Sequence, residues 1–282
     1  MKKFKLSVLA MALVSMLGFT SCLDSGETSN TGYGTGFFRV NNYMGIYRLT
    51  SPTGGVVNPL NQSIMEGANA NSNYTFVAYT VDWDTQEESS ESLDATIVNL
   101  WYVRDGEVTS AAPAESDANA PVRDVNFNAP YNLTGENATA MFFGVDNVFL
   151  PIYYYCDKDL DTDDQDEINE ELSKHQFTLY YDANTDFTPS AMTLHLRHYI
   201  TDKDDDSDYT LSNFNYQHFD LTSPLDSYEQ KYQTNPSRII ISFEKNSMNG
   251  NYENASESEF SINYQGVVDA YESLEDNDNS NE

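Results

Sequence analysis

The chain has 282 residues, with 45 acidic side chains against 14 basic ones and a formal charge of −31. That charge excludes nucleic acid as a natural partner, because phosphate recognition needs a basic footprint, and it keeps the protein body off anionic lipid surfaces. Acidity with few aromatics would mean disorder, but 20 Tyr and 15 Phe are ample for a packed core and favour strands.

The chain opens on Lys2, Lys3 and Lys5, followed by an apolar run from Leu6 to Phe19 broken only by Ser7, Ser15 and Gly18. This is a basic n-region and a short h-region, below the roughly 20 apolar residues that a membrane helix needs. Next come Leu17, Gly18, Phe19, Thr20, Ser21 and Cys22. The junction resembles a bacterial lipobox of the looser Ser-Cys kind found in Bacteroidetes. Residues 1–21 are thus expected to be a cleaved lipoprotein signal, with Cys22 lipidated by palmitate-type acyl chains. Phe19 departs from the commoner small or leucine-like position, which leaves ordinary signal-peptidase cleavage as the alternative. Loss of the three lysines takes the mature charge from −31 to −34, so attachment must come from the acyl chains, at ~0.8 kcal/mol per buried CH₂. Asp24 and Glu27 resemble the Bacteroidetes surface-export signal, against the plainer reading of a solvated tether. The expected location is the outer membrane of the cell envelope, on its periplasmic or its outer side. Once Cys22 is acylated, Cys156 has no disulfide partner and reads as a buried free thiol.

Residues 22–35 are small and polar and read as a flexible tether. Strand-like text follows: Gly36–Leu49, then a turn at Ser51–Gly55, a polar loop or short helix over Asn61–Asn73, an alternating strand at Tyr74–Trp83 and a longer one at Leu93–Arg104. Residues 36–104 therefore predict a small antiparallel barrel or curled sheet. Residues 105–122 carry alanine, proline and acidic residues with no apolar period, which predicts a linker between two domains. In the second half, Phe142–Tyr155, Phe177–Tyr181, Met192–Ile200, Tyr209–Leu221, Ile239–Phe243 and Phe260–Tyr264 read as strands. The clean alternation of Met192, Leu194, Leu196, His198 and Ile200 marks a half-buried strand. Several strands separated by turn signals, with long acidic connections, predict a β-sandwich over 123–265. Val267–Leu274 is compatible with a terminal helical turn inside an acidic tail, 266–282.

This ordering, with the segments "FTLYYDANTDFTPSAMTLHLRHYITDKDDDSDYT" (177–210), "YQHFDLTSPLDSY" (216–228) and "PSRIIISFEKNSMNGNYENASESEFSINY" (236–264), resembles the NigD-like family of Bacteroidetes lipoproteins. The resemblance covers most of residues 36–264 and is stronger in the second half. It implies an all-β chain, an N-terminal OB-like small barrel followed by a C-terminal antiparallel β-sandwich. It carries no catalytic residues.

Candidate chemistry is sparse. In the acidic run 157–172, Asp159, Asp161, Asp163 and Glu170 match places one, three, five and twelve of a calcium loop. Asp164 stands where the turn needs Gly, and Asp166 replaces an apolar position, so a solvated hairpin loop is the favoured reading and no cofactor is expected. Asp202, Asp204, Asp205, Asp206 and Asp208 form a second such turn. His195 and His198 fall on opposite faces of one strand and cannot share a metal, while His175 and His218 stand isolated in sequence, so zinc is not expected. No nucleophile elbow or phosphate-binding glycine loop is present. Trp83, between Asp82 and Asp84, could stack on a sugar ring, although aromatics of this kind more often fill cores. Three functions stay open. The favoured one is a non-catalytic envelope lipoprotein that binds a protein partner. The others are a glycan-binding lipoprotein of a polysaccharide-uptake system and a hydrolase with an unidentified carboxylate pair.

Overall fold

The computed structural model describes residues 30–86, 92–111, 120–125, 141–203 and 208–279. The signal segment, Cys22 and most of the tether lie outside these. The described residues divide into two compact units. The first takes residues up to Arg104, with 141–145 and 268–279; the second takes 105–125 and 146–267.

The first unit holds β1 (Thr31–Tyr43), β2 (Ile46–Thr50), β3 (Val56–Pro59), a short 3-10 turn (Gln62–Met65), β4 (Tyr74–Asp82) and β5 (Ser92–Asp105). The strands pair in the order β3-β2-β1-β4-β5, and β3 closes the ring by pairing parallel to β5. That is the five-stranded OB-type barrel. Its interior is filled by Phe38, Val40, Leu49, Val57, Met65, Val77, Tyr79, Val81 and Ile97. β4 is buried on both faces, because Tyr74 and Phe76 point outward into a second aromatic layer. There Phe76 meets Phe37 at 4.8 Å and Trp101 at 5.5 Å, and Tyr74 meets Phe143 at 5.1 Å.

β1 begins at Thr31, inside the segment that composition marks as tether. Its glycines are there for space: a Cβ on Gly34 would lie 2.6 Å from the Tyr79 ring, and one on Gly32 would lie 2.7 Å from the Trp83 indole nitrogen. β1 and β2 form a hairpin through Met44 and Gly45, both at positive φ, the turn geometry that matches strand twist. The single run expected over Gly36–Leu49 is therefore two strands.

The second unit contains β6 (Glu107–Thr109), β7 (Asp124–Val125), β9 (Asn147–Asp157), α1 (Gln165–Lys174), β10 (His175–Tyr180), β11 (Phe187–Thr188), β12 (Ala191–Ile200), β13 (Tyr209–Asp220), α2 (Thr222–Tyr232), β14 (Arg238–Lys245) and β15 (Ser256–Asn263). Strand β8 (Phe142–Phe143) belongs to the first unit, and α3 (Tyr264–Asn279) runs from the second unit into residues of the first. Within the second unit one layer has the order β13-β9-β7, and the other has β15-β14-β12-β10-β6 with β11 on β12. Aromatic contacts join the layers: Tyr154 of β9 lies 5.2 Å from Phe177 of β10. The alternation in β12 is as expected, with Met192, Leu194, Leu196, His198 and Ile200 buried.

The all-β class holds, with three corrections. The sandwich is not purely antiparallel, since β12 pairs parallel to β14 and β6 parallel to β10. Residues 105–122 are not a bare linker: β6 supplies an edge strand, and Ala120 and Val122 are buried where they bridge to His198 and Lys245. Residues 266–279 form most of a helix rather than a tail, with Val267 and Val268 buried and the Tyr271 hydroxyl donating to the Phe142 carbonyl at 3.0 Å.

Candidate functional site

Two places in the second unit concentrate chemistry. The first is a cleft of about 420 Å³ on the outward face of the six-stranded layer. It forms because alternation turns Tyr180, His195, Arg197, Ser242, Glu244 and Glu257 to the same side of β10, β12, β14 and β15, and Tyr252 closes one wall. Glu244 and Glu257 are directly opposed across β14 and β15, an arrangement that repels unless it is compensated. Arg197 compensates it, its Nη1 lying 2.8 Å from Glu244 Oε2, while its Nη2 donates to the Tyr180 hydroxyl at 3.1 Å. Burial and a hydrogen bond to Glu244 push the Tyr252 phenol up, so it remains a donor. The Ser242 hydroxyl donates to Glu257 at 3.2 Å. His195 stacks on Tyr180 at 4.8 Å and faces Asp186 at 3.4 Å.

The second place is buried. Glu171 of α1, His175 at the head of β10, His198 of β12 and Cys156 of β9 meet between the layers. His175 Nδ1 lies 2.9 Å from His198 Nε2, and His175 Nε2 lies 3.3 Å from Glu171 Oε1. His198 Nδ1 faces the Pro121 carbonyl at 3.5 Å. A carbonyl only accepts, so His198 carries its proton on Nδ1 and accepts at Nε2 from His175 Nδ1–H. A second proton lies between His175 Nε2 and Glu171. Burial alone would push the Glu171 carboxyl up, but hydrogen bonds from His175, the Asp157 backbone N–H and Lys174 outweigh it and hold it at about 2. Burial pulls His198 well below the usual imidazole value, and the neighbouring His175 adds to that. Burial pushes the Cys156 thiol up to about 12, against a hydrogen bond from Asn213. A fully buried thiol in that state is not a nucleophile.

The residues singled out in the sequence fall elsewhere. Asp159, Asp161, Asp163 and Glu170 are exposed and are not gathered at one point. Asp161 accepts from the Asp163 N–H at 2.9 Å. Asp164 caps α1 by accepting from the Asp166 and Glu167 N–H groups, so the acidic run is the start of a helix. Glu170 rides on that helix. Trp83 is half-buried, packs on the barrel core and lies across Gly32, so it is no open stacking platform. Cys22 lies outside the described residues, as do Asp204, Asp205 and Asp206 of the second acidic turn. His195 and His198 do point to opposite faces, but His175 and His218 are not isolated. His175 meets His198, and His218 lies 2.7 Å from Asp105 and 2.8 Å from Asn147. No local signal announces these pairs, because the partners are 23, 113 and 71 residues apart.

No protein-family model matches the chain, and no curated protein shows significant sequence similarity to it. Solved structures do resemble it. A chain described as a candidate lipoprotein from Bacteroides fragilis superposes with a TM-score of 0.64 at 20% identity, over 82% of this chain and 98% of that one. A protein of unknown function from Bacteroides vulgatus gives 0.47 at 11% identity, over 82% and 90%. A NigD-like immunity protein from Bacteroides caccae gives 0.40 at 12%, over 79% and 90%. The first of these shows a shared fold. Among the described residues no helix is long and apolar enough to cross a membrane.

Proposed function

We propose that this chain is a non-catalytic, acyl-anchored lipoprotein of the cell envelope, of NigD-like type, that binds its partner through the cleft on the six-stranded layer. The observation that carries this reading is the cleft itself. Its charged groups are bonded to one another and held rigid by four strands, as a recognition surface requires. Ser242 gives its hydrogen to Glu257 rather than to His195, its neighbour across β12 and β14, and the surrounding strand N–H groups serve the ladder rather than an oxyanion. This supports binding over hydrolysis. The B. fragilis neighbour, described as a candidate lipoprotein, supports the envelope assignment, as does the Ser21-Cys22 junction.

Glycan is the second reading, and one feature favours it: the cleft is a pocket rather than a flat patch, with Tyr180 and Tyr252 beside Glu257 and Ser242. Small ligands bind in concave sites where aromatic walls meet a few placed polar groups. Calorimetric titration of oligosaccharides against the mature chain, beside a Glu257→Gln, Tyr252→Phe variant, separates the readings. Saccharide binding that the variant loses establishes the glycan reading. Binding of a protein partner weakened by the same variant establishes the first. A partner bound equally well by both chains would show that the cleft is not the recognition surface.

A further inference from the structure

The buried group of Cys156, Glu171 and His175 serves no purpose in the binding cleft, which lies on the other side of the same layer. Among the described residues it is the one set of three potential ligands whose donor atoms converge, no two being more than 4.8 Å apart. They come from β9, α1 and β10, so the fold rather than a local turn assembles them.

We propose that Cys156, Glu171 and His175 form a binding site for a zinc-type divalent metal ion. Three observations support this. The first is distance. His175 Nε2 and Glu171 Oε1 stand 3.3 Å apart, a long hydrogen bond. Two ligands about 2.0–2.2 Å from a tetrahedral zinc ion lie about 3.3 Å from each other, and a nitrogen and a thiolate sulfur about 3.6 Å. The His175–Glu171 separation is already the edge of such a tetrahedron. Cys156 Sγ lies within 4.8 Å of both of these atoms and would have to move inward to complete the third position.

The second is the support around the ligands. Metal-bound histidines donate their other N–H to a fixed acceptor, and His175 Nδ1 faces His198 Nε2 at 2.9 Å. The Glu171 carboxylate is oriented by the Asp157 N–H at 3.0 Å and by Lys174 at 3.2 Å. Asn213 Nδ2 approaches Cys156 Sγ at 3.6 Å.

The third is charge balance. The ion would displace the proton of the Cys156 thiol. A thiolate, a carboxylate and a neutral imidazole then carry two negative charges against the two positive charges of the ion. The site becomes neutral, which suits a dry interior better than a bare thiolate would.

The test uses the mature chain refolded with cobalt(II), since the site is closed to solvent. A thiolate-to-cobalt charge-transfer band saturating at one ion per chain is expected, absent in Cys156→Ser and weakened in Glu171→Gln. Zinc should raise the melting temperature of the wild type and leave Cys156→Ser unmoved. Calorimetry in buffers of different ionisation heat should show proton release on ion binding. A wild-type chain that refolds in cobalt without that band, and melts alike with and without zinc, would overturn the proposal. So would a band that survives in Cys156→Ser.

Discussion

Glu171 and His198 flank His175; both stay deprotonated in the folded chain, and both make the interior sensitive to acid. His198 has its folded value depressed below the ordinary 6.5. Below about 6.5 the unfolded chain therefore takes up a proton that the folded chain refuses, and stability falls as pH falls. Glu171 is held at about 2 against 4.5 when free, so its contribution is present above 4.5 and is lost as pH falls from there toward 2. In the presence of a strong chelator, the urea midpoint should decline in two stages, the first starting near the ordinary imidazole value. Urea titrations at closely spaced pH would show it, and His198→Gln should remove the first stage. A midpoint flat from neutral pH to below 5 would contradict the protonation states assigned here. At the same scale, Gly34→Ala in β1 places a methyl against the Tyr79 ring. A loss of about 1–3 kcal/mol is expected from such overpacking, measurable as a lowered denaturation midpoint with an unchanged slope.

Helix α1 is where the acidic run of the sequence changes meaning. Asp164 accepts from two backbone N–H groups and starts the helix; Asp164→Ala should cost about 1 kcal/mol. With these carboxylates turned to caps and solvent, calcium should not shift the melting temperature of the chain. A specific site would raise stability by about 2.7 kcal/mol at 100 times its dissociation constant. A shift of that size, abolished by Asp161→Asn with Asp163→Asn, would restore the calcium loop. Period-two alternation made β10, β12 and the first half of β5 readable whatever they pair with, while β4 and β14, buried on both faces over most of their length, were readable from their runs of apolar and β-branched residues. The elements that stayed hidden have their reasons in distant partners. Gly32 and Gly34 look like tether because the aromatics that need their space lie on β4. Residues Glu107–Thr109 look like linker because their pairing is with Thr178–Tyr180, far along the chain. The Cys156–Glu171–His175 group was invisible for the same reason: only the packing of β9, α1 and β10 brings its members together. The cleft was equally hidden, since its members are individually ordinary polar residues on the solvent side of strands.

For the whole molecule, the units described here interleave along the chain, since residues 141–145 and 268–279 cluster with the N-terminal barrel. A fragment beginning at residue 123 lacks β6, which pairs with β10, and should melt below the intact chain by circular dichroism. Equal melting would show that 105–122 adds nothing to the second unit. A protein of −31 formal charge gains nothing from an anionic membrane surface, so the envelope location proposed above would depend on Cys22. Metabolic labelling with an alkyne fatty acid, followed by membrane fractionation, tests this most directly. The wild-type chain should be labelled and should sediment with membranes, while Cys22→Ala should be unlabelled and soluble. Labelling that persists in Cys22→Ala, or an unlabelled wild type released as a soluble protein, would contradict an acyl-anchored lipoprotein.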